Sequence, residues 1–200
     1  MRLLIVSGLS GSGKSSTLHM LEDLDYYCVD NIPGRLLETL IRELGHSGPK
    51  FELLAVGLDT RPEPEDIHRV AGLVEALRAD GTGCEVIFLT CAPDVLLKRY
   101  SETRRKHPFS GLGQGLKQSI EFERELLAPL CDIADLVVDT SRMSVQELRQ
   151  TIRDRVAQRS NSQLSLQFES FGFKHGVPAD ADFVFDARAL PNPYWVTGLR

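Results

Sequence analysis

The sequence predicts an α/β fold with a mostly parallel sheet, and three observations support this prediction. Apolar runs of strand length alternate with amphipathic segments of helix length from the first residues to about residue 158. The first apolar run leads directly into a glycine-rich loop, Gly8–Ser15, and a helical pattern follows that loop. Hydrophobic residues make up 42% and charged residues 26% of the 200 residues, which is the composition of an ordinary globular protein.

Five strands are predicted where apolar runs stop at polar residues or turns. They span Leu3–Ser7, Tyr26–Val29, Glu52–Leu58, Glu85–Thr90 and Leu136–Asp139. Since a helical segment separates each strand from the next, we expect parallel pairing with crossover helices.

Six helices are predicted from apolar residues at helical spacing. The first begins at the glycine-rich loop and carries Leu18, Leu21 and Leu24 on one face. Proline suits the first turn of a helix, as at Pro64 and Pro93. The other five helices span Gly34–Leu44, Pro64–Ala79, Pro93–Tyr100, Leu116–Leu127 and Ser144–Val156.

The pattern changes after about residue 158. The polar segment 159–163 is predicted to be a linker, and LSLQFESFGFKHG and ADFVFDARALPNP alternate apolar and polar residues as half-buried strands do. Two strands cannot form a core by themselves. We therefore expect one domain over residues 1–158 and, over residues 164–200, the start of a second, incomplete α/β domain.

The loop Gly8–Ser15 carries the most specific chemical motif. Its sequence, GLSGSGKS, fits the P-loop or Walker A pattern G-x-x-x-x-G-K-[ST] between a strand and a helix. Glycines let consecutive backbone N–H groups surround phosphate oxygens at a helix N-terminus. The motif predicts a nucleoside-kinase-like P-loop NTPase that binds ATP or GTP, and the alternative is a glycine-rich turn without a ligand. The predicted nucleotide-binding residues are Gly8, Leu9, Ser10, Gly11, Ser12, Gly13, Lys14 and Ser15.

Three side chains have specific expected roles at this site. Lys14 should reach the β- and γ-phosphates as a catalytic residue, and the hydroxyl of Ser15 should bind Mg²⁺. Asp59 follows an apolar strand, so it is the candidate second magnesium ligand and catalytic carboxylate, in the manner of a Walker B aspartate. The alternative for Asp59 is a helix cap in the loop after the strand.

Asp30 follows the apolar segment YYCV and is expected at the same edge of the sheet. In small P-loop kinases a carboxylate there often meets the phosphoryl acceptor, so Asp30 is a candidate substrate-binding group or base. The alternative is an N-cap before Pro33.

Two groups of basic residues stand out. The first is predicted to contact phosphate as a lid or else to remain solvated, and it overlaps the segment Ser101–Gly115, a predicted exposed and mobile loop. The second lies on the last helix, where a solvated face is predicted. The first comprises Lys98, Arg99, Arg104, Arg105 and Lys106, and the second Arg149, Arg153, Arg155 and Arg159.

Composition argues against several other classes. The net charge of −5 argues against RNA binding by the whole surface. No apolar run is long enough to cross a membrane, and no signal peptide is expected, so a cytoplasmic location is predicted. His107 and His175 have no ligand-spaced partner, so no metal other than Mg²⁺ is expected. Buried thiols are predicted at four scattered positions, Cys28, Cys84, Cys91 and Cys131.

Motifs along nearly the whole chain resemble the RapZ family of nucleotide-binding proteins, also called RNase adapter proteins. They are GLSGSGKS, LEDLDYYCVDN, SETRRKHP, ADLVVDTS, ESFGFKHG, DADFVFDARALPNP and YW, in that order. The resemblance implies a kinase-like P-loop domain followed by a C-terminal domain. It also implies that the protein forms homo-oligomers and that it binds ATP and GTP and hydrolyses them slowly. It also implies that Gly8–Ser15 binds ATP and that Asp59, Thr60, Arg61 and Pro62 bind GTP.

In some enteric relatives the protein binds small regulatory RNAs and presents them to RNase E, which controls synthesis of glucosamine-6-phosphate synthase. Relatives continue past the position of Arg200 to a basic tail that carries much of the RNA contact, so this chain is expected to be truncated and to bind RNA poorly. The alternative functions are a kinase of a small metabolite and an RNA-binding module with a vestigial nucleotide site, although the intact Lys14 and Ser15 oppose the latter.

Overall fold

A computed structural model describes residues 1–45, 51–58, 64–104, 106–110, 115–158, 170–178, 181–186 and 188. These residues belong to two compact units, Met1–Leu166 and Gln167–Arg200. In the described part of the chain, the first unit holds five strands and six α-helices, and the second holds one short 3-10 helix.

The five strands form one parallel sheet at the centre of the first unit. Their bounds are β1 (Arg2–Gly8), β2 (Tyr27–Ile32), β3 (Leu53–Leu58), β4 (Gly83–Thr90) and β5 (Leu136–Asp139). The order across the sheet is β2-β3-β1-β4-β5, and each neighbouring pair is parallel. The predicted parallel sheet is confirmed. Because β1 is central, the loop that follows it opens between the carboxyl ends of β3 and β4.

The six helices cover both faces of this sheet. Their bounds are α1 (Lys14–Glu22), α2 (Gly34–Gly45), α3 (Pro64–Ala79), α4 (Pro93–Thr103), α5 (Leu116–Asp132) and α6 (Val145–Gln158). Helices α1 and α6 pack on one face, and α2, α3 and α5 pack on the other. Alternate residues of β1 serve the two cores: Leu3 and Ile5 face α2, α3 and α5, whereas Leu4 and Val6 face α1 and α6.

The five strands and six helices predicted for the first unit are confirmed, with small changes at their ends. Strand β5 and helix α3 have the predicted bounds. Helix α1 stops at Glu22 because a turn follows in which Asp25 has a φ of 65°; Leu24 lies beyond the helix but still packs against the core. Strand β2 runs further than predicted, to Ile32, with an irregular register after Val29.

The second unit shows little regular structure in its described residues. A 3-10 helix spans Phe173–His175, and the guanidinium of Arg188 lies 4.5 Å from the ring centroid of Phe173. The two predicted strands are not seen in the described residues 170–178 and 181–186, where Phe183 and Phe185 are 82% and 83% exposed. A strand needs a neighbouring strand to complete its hydrogen bonds, and the alternating pattern does not supply one.

All four cysteines have free thiols, and the prediction that they are buried is confirmed for Cys84 and Cys91, whereas Cys28 and Cys131 are half-buried. Across the residues that the structure describes, no helix combines the length and the apolar character that a bilayer crossing requires.

Candidate functional site

The glycine-rich loop joins the central strand to a helix at the carboxyl edge of the sheet. Strand β1 ends at Gly8, and α1 begins at Lys14. Gly8, Gly11 and Gly13 have φ values of 137°, 87° and 112°, which side chains with a Cβ rarely adopt. A Cβ on Gly8 would lie 2.1 Å from the carbonyl oxygen of Leu89 in β4. Glycine is therefore required at Gly8 both by backbone conformation and by space.

Hydrogen bonds fix the curved path of this loop. The hydroxyl and the backbone N–H of Ser12 both donate to the carbonyl oxygen of Leu9, at 2.6 Å and 3.0 Å. The hydroxyl of Thr140 donates to the carbonyl oxygen of Ser12 at 2.9 Å. With its polar groups bonded in this way the loop is pre-shaped, and its position before α1 makes it suited to an anion.

The side chain of Lys14 folds back over the loop. Its ammonium donates to the carbonyl oxygens of Gly8 at 2.7 Å and Leu9 at 3.1 Å. The positive charge therefore lies at the mouth of the loop, within reach of an anion held there.

The predicted residues Ser15 and Asp30 meet beside the loop. The hydroxyl of Ser15, in the first turn of α1, donates to Oδ2 of Asp30 in β2 at 3.2 Å. Oδ1 of Asp30 accepts the backbone N–H of Asn31 at 2.7 Å, and Asn31 has a φ of 59°. The carboxylate of Asp30 thus faces the first turn of α1 rather than the first turn of α2, and this geometry does not support the alternative that Asp30 is a helix cap.

A glycine in the neighbouring strand makes room for this carboxylate. A Cβ on Gly57 of β3 would lie 2.5 Å from Oδ1 of Asp30 and 2.6 Å from Cδ1 of Leu18. The position of Asp30 therefore depends on the absence of a side chain at residue 57.

The pair of Ser15 and Asp30 fits the requirements of Mg²⁺. A hydroxyl and a carboxylate are hard oxygen ligands, and Mg²⁺ in nucleotide sites uses one or two such groups together with water and phosphate oxygens. Among the described residues there is no cluster of three or more His, Cys, Asp or Glu side chains that could hold a metal on its own. The other predicted residues of the site, Asp59, Thr60, Arg61 and Pro62, lie outside the described residues.

Arg99, predicted to belong to a lid over phosphates, is instead hydrogen-bonded to the loop itself. Its guanidinium donates to the carbonyl oxygen of Gly11 at 2.9 Å, to the carbonyl oxygen of Thr140 at 2.7 Å and to the hydroxyl of Thr140 at 3.1 Å. Arg99 therefore ties the loop to the end of β5. The neighbouring Lys98, Arg104 and Lys106 are exposed, and Arg105 lies outside the described residues.

The second basic group is solvated only in part. Arg149 and Arg153 are exposed on α6, and Arg149 pairs with Asp23 at 3.1 Å. Arg155 is half-buried and donates to the carbonyl oxygen of Asp135 at 2.9 Å, so the prediction of a solvated face is wrong for this residue. Arg159 lies outside the described residues.

Two residues beside the loop were not identified from the sequence. Glu123 of α5 is fully buried and accepts hydrogen bonds from Ser10. His107 is 3% exposed and lies 3.2 Å from Glu123, although the whole segment from Ser101 to Gly115 is predicted to be an exposed loop. For Glu123 the helical spacing could have indicated burial, because Glu123 lies between Ile120 and Leu127 on the apolar face of its helix.

Two family models and several curated proteins match this chain along its whole length. A family model described as the RapZ-like N-terminal domain matches residues 1–160, and one described as the RapZ C-terminal domain matches residues 164–200. A nucleotide-binding protein of Chromohalobacter salexigens is 51% identical over 201 residues, covering 100% of this chain and 67% of that protein. One of Thioalkalivibrio sulfidiphilus is 50% identical over 201 residues, covering 100% of this chain and 70% of that protein.

Solved structures with a similar fold are more distant in sequence. Shikimate kinase from Acinetobacter baumannii in complex with shikimate has a TM-score of 0.53 and 14% identity, over 80% of this chain and 95% of that chain. The YorR protein of Bacillus subtilis in complex with phosphorylated GDP has a TM-score of 0.50 and 14% identity, over 78% of this chain and 95% of that chain. At such identity the likeness shows a shared kinase-like fold.

Proposed function

This chain belongs to the RapZ family of nucleotide-binding proteins, and from that premise we propose that it binds ATP or GTP with Mg²⁺ at Gly8–Ser15 and hydrolyses the nucleotide slowly in a regulatory role. The observation that carries the proposal is the pre-shaped loop, closed by Lys14 on one side and by Ser15 with Asp30 on the other. A glycine-rich turn without a ligand would need none of these three side chains.

Each side chain has a separate task in this proposal. Lys14 exchanges its two carbonyl partners for β- and γ-phosphate oxygens and offsets the negative charge on them. Ser15 and Asp30 hold Mg²⁺, with Asp59 as a further proposed carboxylate. When bound, the cation neutralises charge on the phosphate oxygens. Ser10 is already bonded to Glu123 through its N–H and hydroxyl, so its part in the site is to shape the loop.

The test compares Lys14→Ala with the wild-type chain and with a matched lysine variant, Lys117→Ala. Lys117 is exposed on α5, where its ammonium pairs with Glu121 at 3.9 Å. Isothermal titration with MgATP and MgGTP should show affinity about a hundredfold weaker for Lys14→Ala, because a charge-assisted contact to phosphate is lost. The Lys117→Ala variant should match the wild type. Equal affinity of Lys14→Ala and wild type would contradict the proposal.

A second candidate function, a kinase of a small metabolite, is favoured by the position of Asp30. This carboxylate is exposed at the open edge of the sheet beside Ser15, where it can also orient an acceptor hydroxyl. Phosphoryl transfer from labelled ATP to a panel of sugars, acids and nucleosides would support it if transfer to one acceptor is faster than transfer to water. If ATP is only hydrolysed with every acceptor in the panel, the kinase function is contradicted and the regulatory function is retained.

For the whole protein we propose, from the family resemblance, a homo-oligomeric cytoplasmic adapter that binds a small regulatory RNA and presents it to RNase E, with control of glucosamine-6-phosphate synthase production. In this chain the supporting observation is local: Lys98, Arg104 and Lys106 are exposed around the end of α4. If these cations contact RNA, replacing all three with alanine reduces the slope of log affinity against log salt by about 2 to 3. An unchanged slope would locate the RNA contact elsewhere.

A further inference from the structure

A fully buried glutamate lies directly behind the P-loop. Glu123, in the middle of α5, is 0% exposed, and its helical neighbours Ile120 and Leu127 are 0% and 1% exposed. A carboxylate in such surroundings is unfavourable unless its oxygens accept hydrogen bonds. An apolar side chain would fill this position at less cost, so the carboxylate needs an explanation.

Both oxygens of Glu123 hold the same residue of the loop. Oε2 accepts the backbone N–H of Ser10 at 2.9 Å, and Oε1 accepts its hydroxyl at 2.6 Å. Ser10 is separated from Glu123 by 113 positions in the sequence and is 7% exposed. Because a backbone N–H is one of the two bonds, the carboxylate fixes the orientation of the peptide between Leu9 and Ser10, and hence the path of the loop after β1.

The same carboxylate also anchors the segment after α4. Nε2 of His107 lies 3.2 Å from Oε2 of Glu123, and Nδ1 of His107 accepts the backbone N–H of Phe109 at 3.3 Å. Since Nδ1 is an acceptor, the proton of a neutral imidazole lies on Nε2, which donates to the carboxylate. The exposed cations Arg104 and Lys106 immediately precede this buried histidine.

The order of these three side chains excludes a nucleophilic triad. In a serine hydrolase the histidine contacts the serine hydroxyl and the carboxylate lies behind the histidine. Here the carboxylate of Glu123 lies between Ser10 and His107. All three residues are buried, so a substrate has no access to the hydroxyl of Ser10. A positioning role agrees with both facts.

We propose that Glu123 is a positioning residue of the nucleotide site, which holds the P-loop through Ser10 and couples it to the segment around His107. This inference rests on the proposed function of nucleotide binding at Gly8–Ser15. In this role Glu123 does not touch the nucleotide. It keeps the backbone of the loop in the binding shape, so its loss weakens nucleotide binding more than a comparable loss of core packing does.

The test separates loop positioning from general stability. Glu123→Gln keeps an oxygen for the N–H of Ser10 and for His107, and its amide nitrogen can donate to the hydroxyl of Ser10. Its MgATP affinity should stay within about threefold of wild type, whereas Glu123→Leu should bind at least about tenfold more weakly because the buried N–H of Ser10 loses its acceptor. The control is Leu130→Ala, a fully buried position on the same helix. It lowers the melting temperature but should leave affinity unchanged below that temperature.

A double-mutant cycle gives a second readout. Ser10→Ala should weaken MgATP binding by about threefold in the wild-type background and should add nothing to Glu123→Leu, because the shared interaction is already lost. Additive losses would overturn the proposal. If Glu123→Leu does not fold, Ser10→Ala decides alone, and wild-type affinity in that variant overturns the proposal.

The outcomes also separate this inference from the proposed function. Failure of the wild-type chain to bind nucleotide would overturn both. If wild type binds and Lys14→Ala does not, the proposed function stands. In that case, Glu123→Leu with the affinity of Leu130→Ala would overturn only the positioning role.

Discussion

The hydroxyl of Ser15 donates to the carboxylate of Asp30 at 3.2 Å, which brings the last residue of the P-loop motif against strand β2. The strand that carries Asp30 lies at the edge of the sheet, two positions from the strand that carries the loop. The contact crosses β3 through the space left by Gly57. It brings a hydroxyl and a carboxylate together at the mouth of the loop, where we propose a nucleotide-bound cation.

The first prediction concerns the magnesium dependence of binding. Asp30→Asn should weaken affinity for MgATP by about tenfold, because an amide replaces a charged oxygen ligand, while affinity for ATP in EDTA should not fall. Asp25→Asn is the matched control, since Asp25 is exposed and precedes the opposite end of β2. Isothermal titration with and without Mg²⁺ measures both values. An equal loss in EDTA would show that Asp30 acts on the loop and not through the cation.

The second prediction concerns the requirement for glycine at the start of the loop. Gly8→Ala should lower the free energy of unfolding by about 3 kcal/mol or more, because the new Cβ meets a backbone carbonyl and the positive φ becomes strained. Gly72→Ala, in α3, where apart from the adjacent residues and the backbone of its own helix nothing lies within 4 Å of an added Cβ, should raise it by about 0.5 to 1 kcal/mol. Urea unfolding measures both. If Gly8→Ala is as stable as the wild type, β1 and β4 can move apart without a cost in free energy.

The third prediction distinguishes a structural Arg99 from a phosphate-binding lid. The guanidinium of Arg99 bonds Gly11 and Thr140 through two separate nitrogens, and in Arg99→Lys a single ammonium on a shorter side chain cannot keep all three bonds in this geometry, so ATP affinity should fall by about fivefold. The factor should be the same at low and high salt, because the lost bonds are to carbonyl oxygens and not to the ligand. Lys98→Arg serves as the exposed neighbour control. A loss that disappears at high salt would restore the lid interpretation.

The fourth prediction concerns the thiols. Burial raises the pKa of Cys28 to about 12 and that of Cys84 to about 11, from an ordinary value of 9.0. Because the thiolate is the nucleophile, iodoacetamide at pH 8 should modify both residues far more slowly in the folded chain than in urea. Mass spectrometry after timed alkylation measures this difference. Equal rates would show that both sites open readily.

The same shifts give a dependence of stability on pH. Well below pH 8 the thiols are neutral in both states. As the pH rises through the ordinary thiol pKa of 9.0, unfolded thiols ionise while folded ones stay neutral, so stability falls until the pH reaches the folded pKa values near 11 and 12. Replacing Cys28 and Cys84 with alanine should flatten this fall. Denaturant unfolding at several pH values above 8 compares the variant with wild type, and identical slopes would contradict the effect.

Local patterns were sufficient for the elements of the first unit. Strand β5 and helix α3 have the predicted ends because apolar periodicity and turn residues act over a few positions. The prediction that Ser101–Gly115 is exposed was wrong at His107, since a basic, glycine-rich stretch does not show that one of its side chains is buried against a distant helix. The same limit applies to Arg99 and Arg155, whose carbonyl partners lie 41 and 20 positions away.

The sequence by itself determined the P-loop motif and the order of strands and helices along the chain, and it predicted Lys14 and Ser15 as site residues, because each of these depends on neighbours within one motif or one period. Only the tertiary structure decided that Asp30 faces Ser15, that Arg99 bonds Gly11, and that Glu123 holds Ser10. These contacts join residues far apart in the chain. The sequence does not show whether a charged side chain lies on the surface or in the core. Burial of a side chain such as that of Glu123 follows only from the packing of the helices on the sheet.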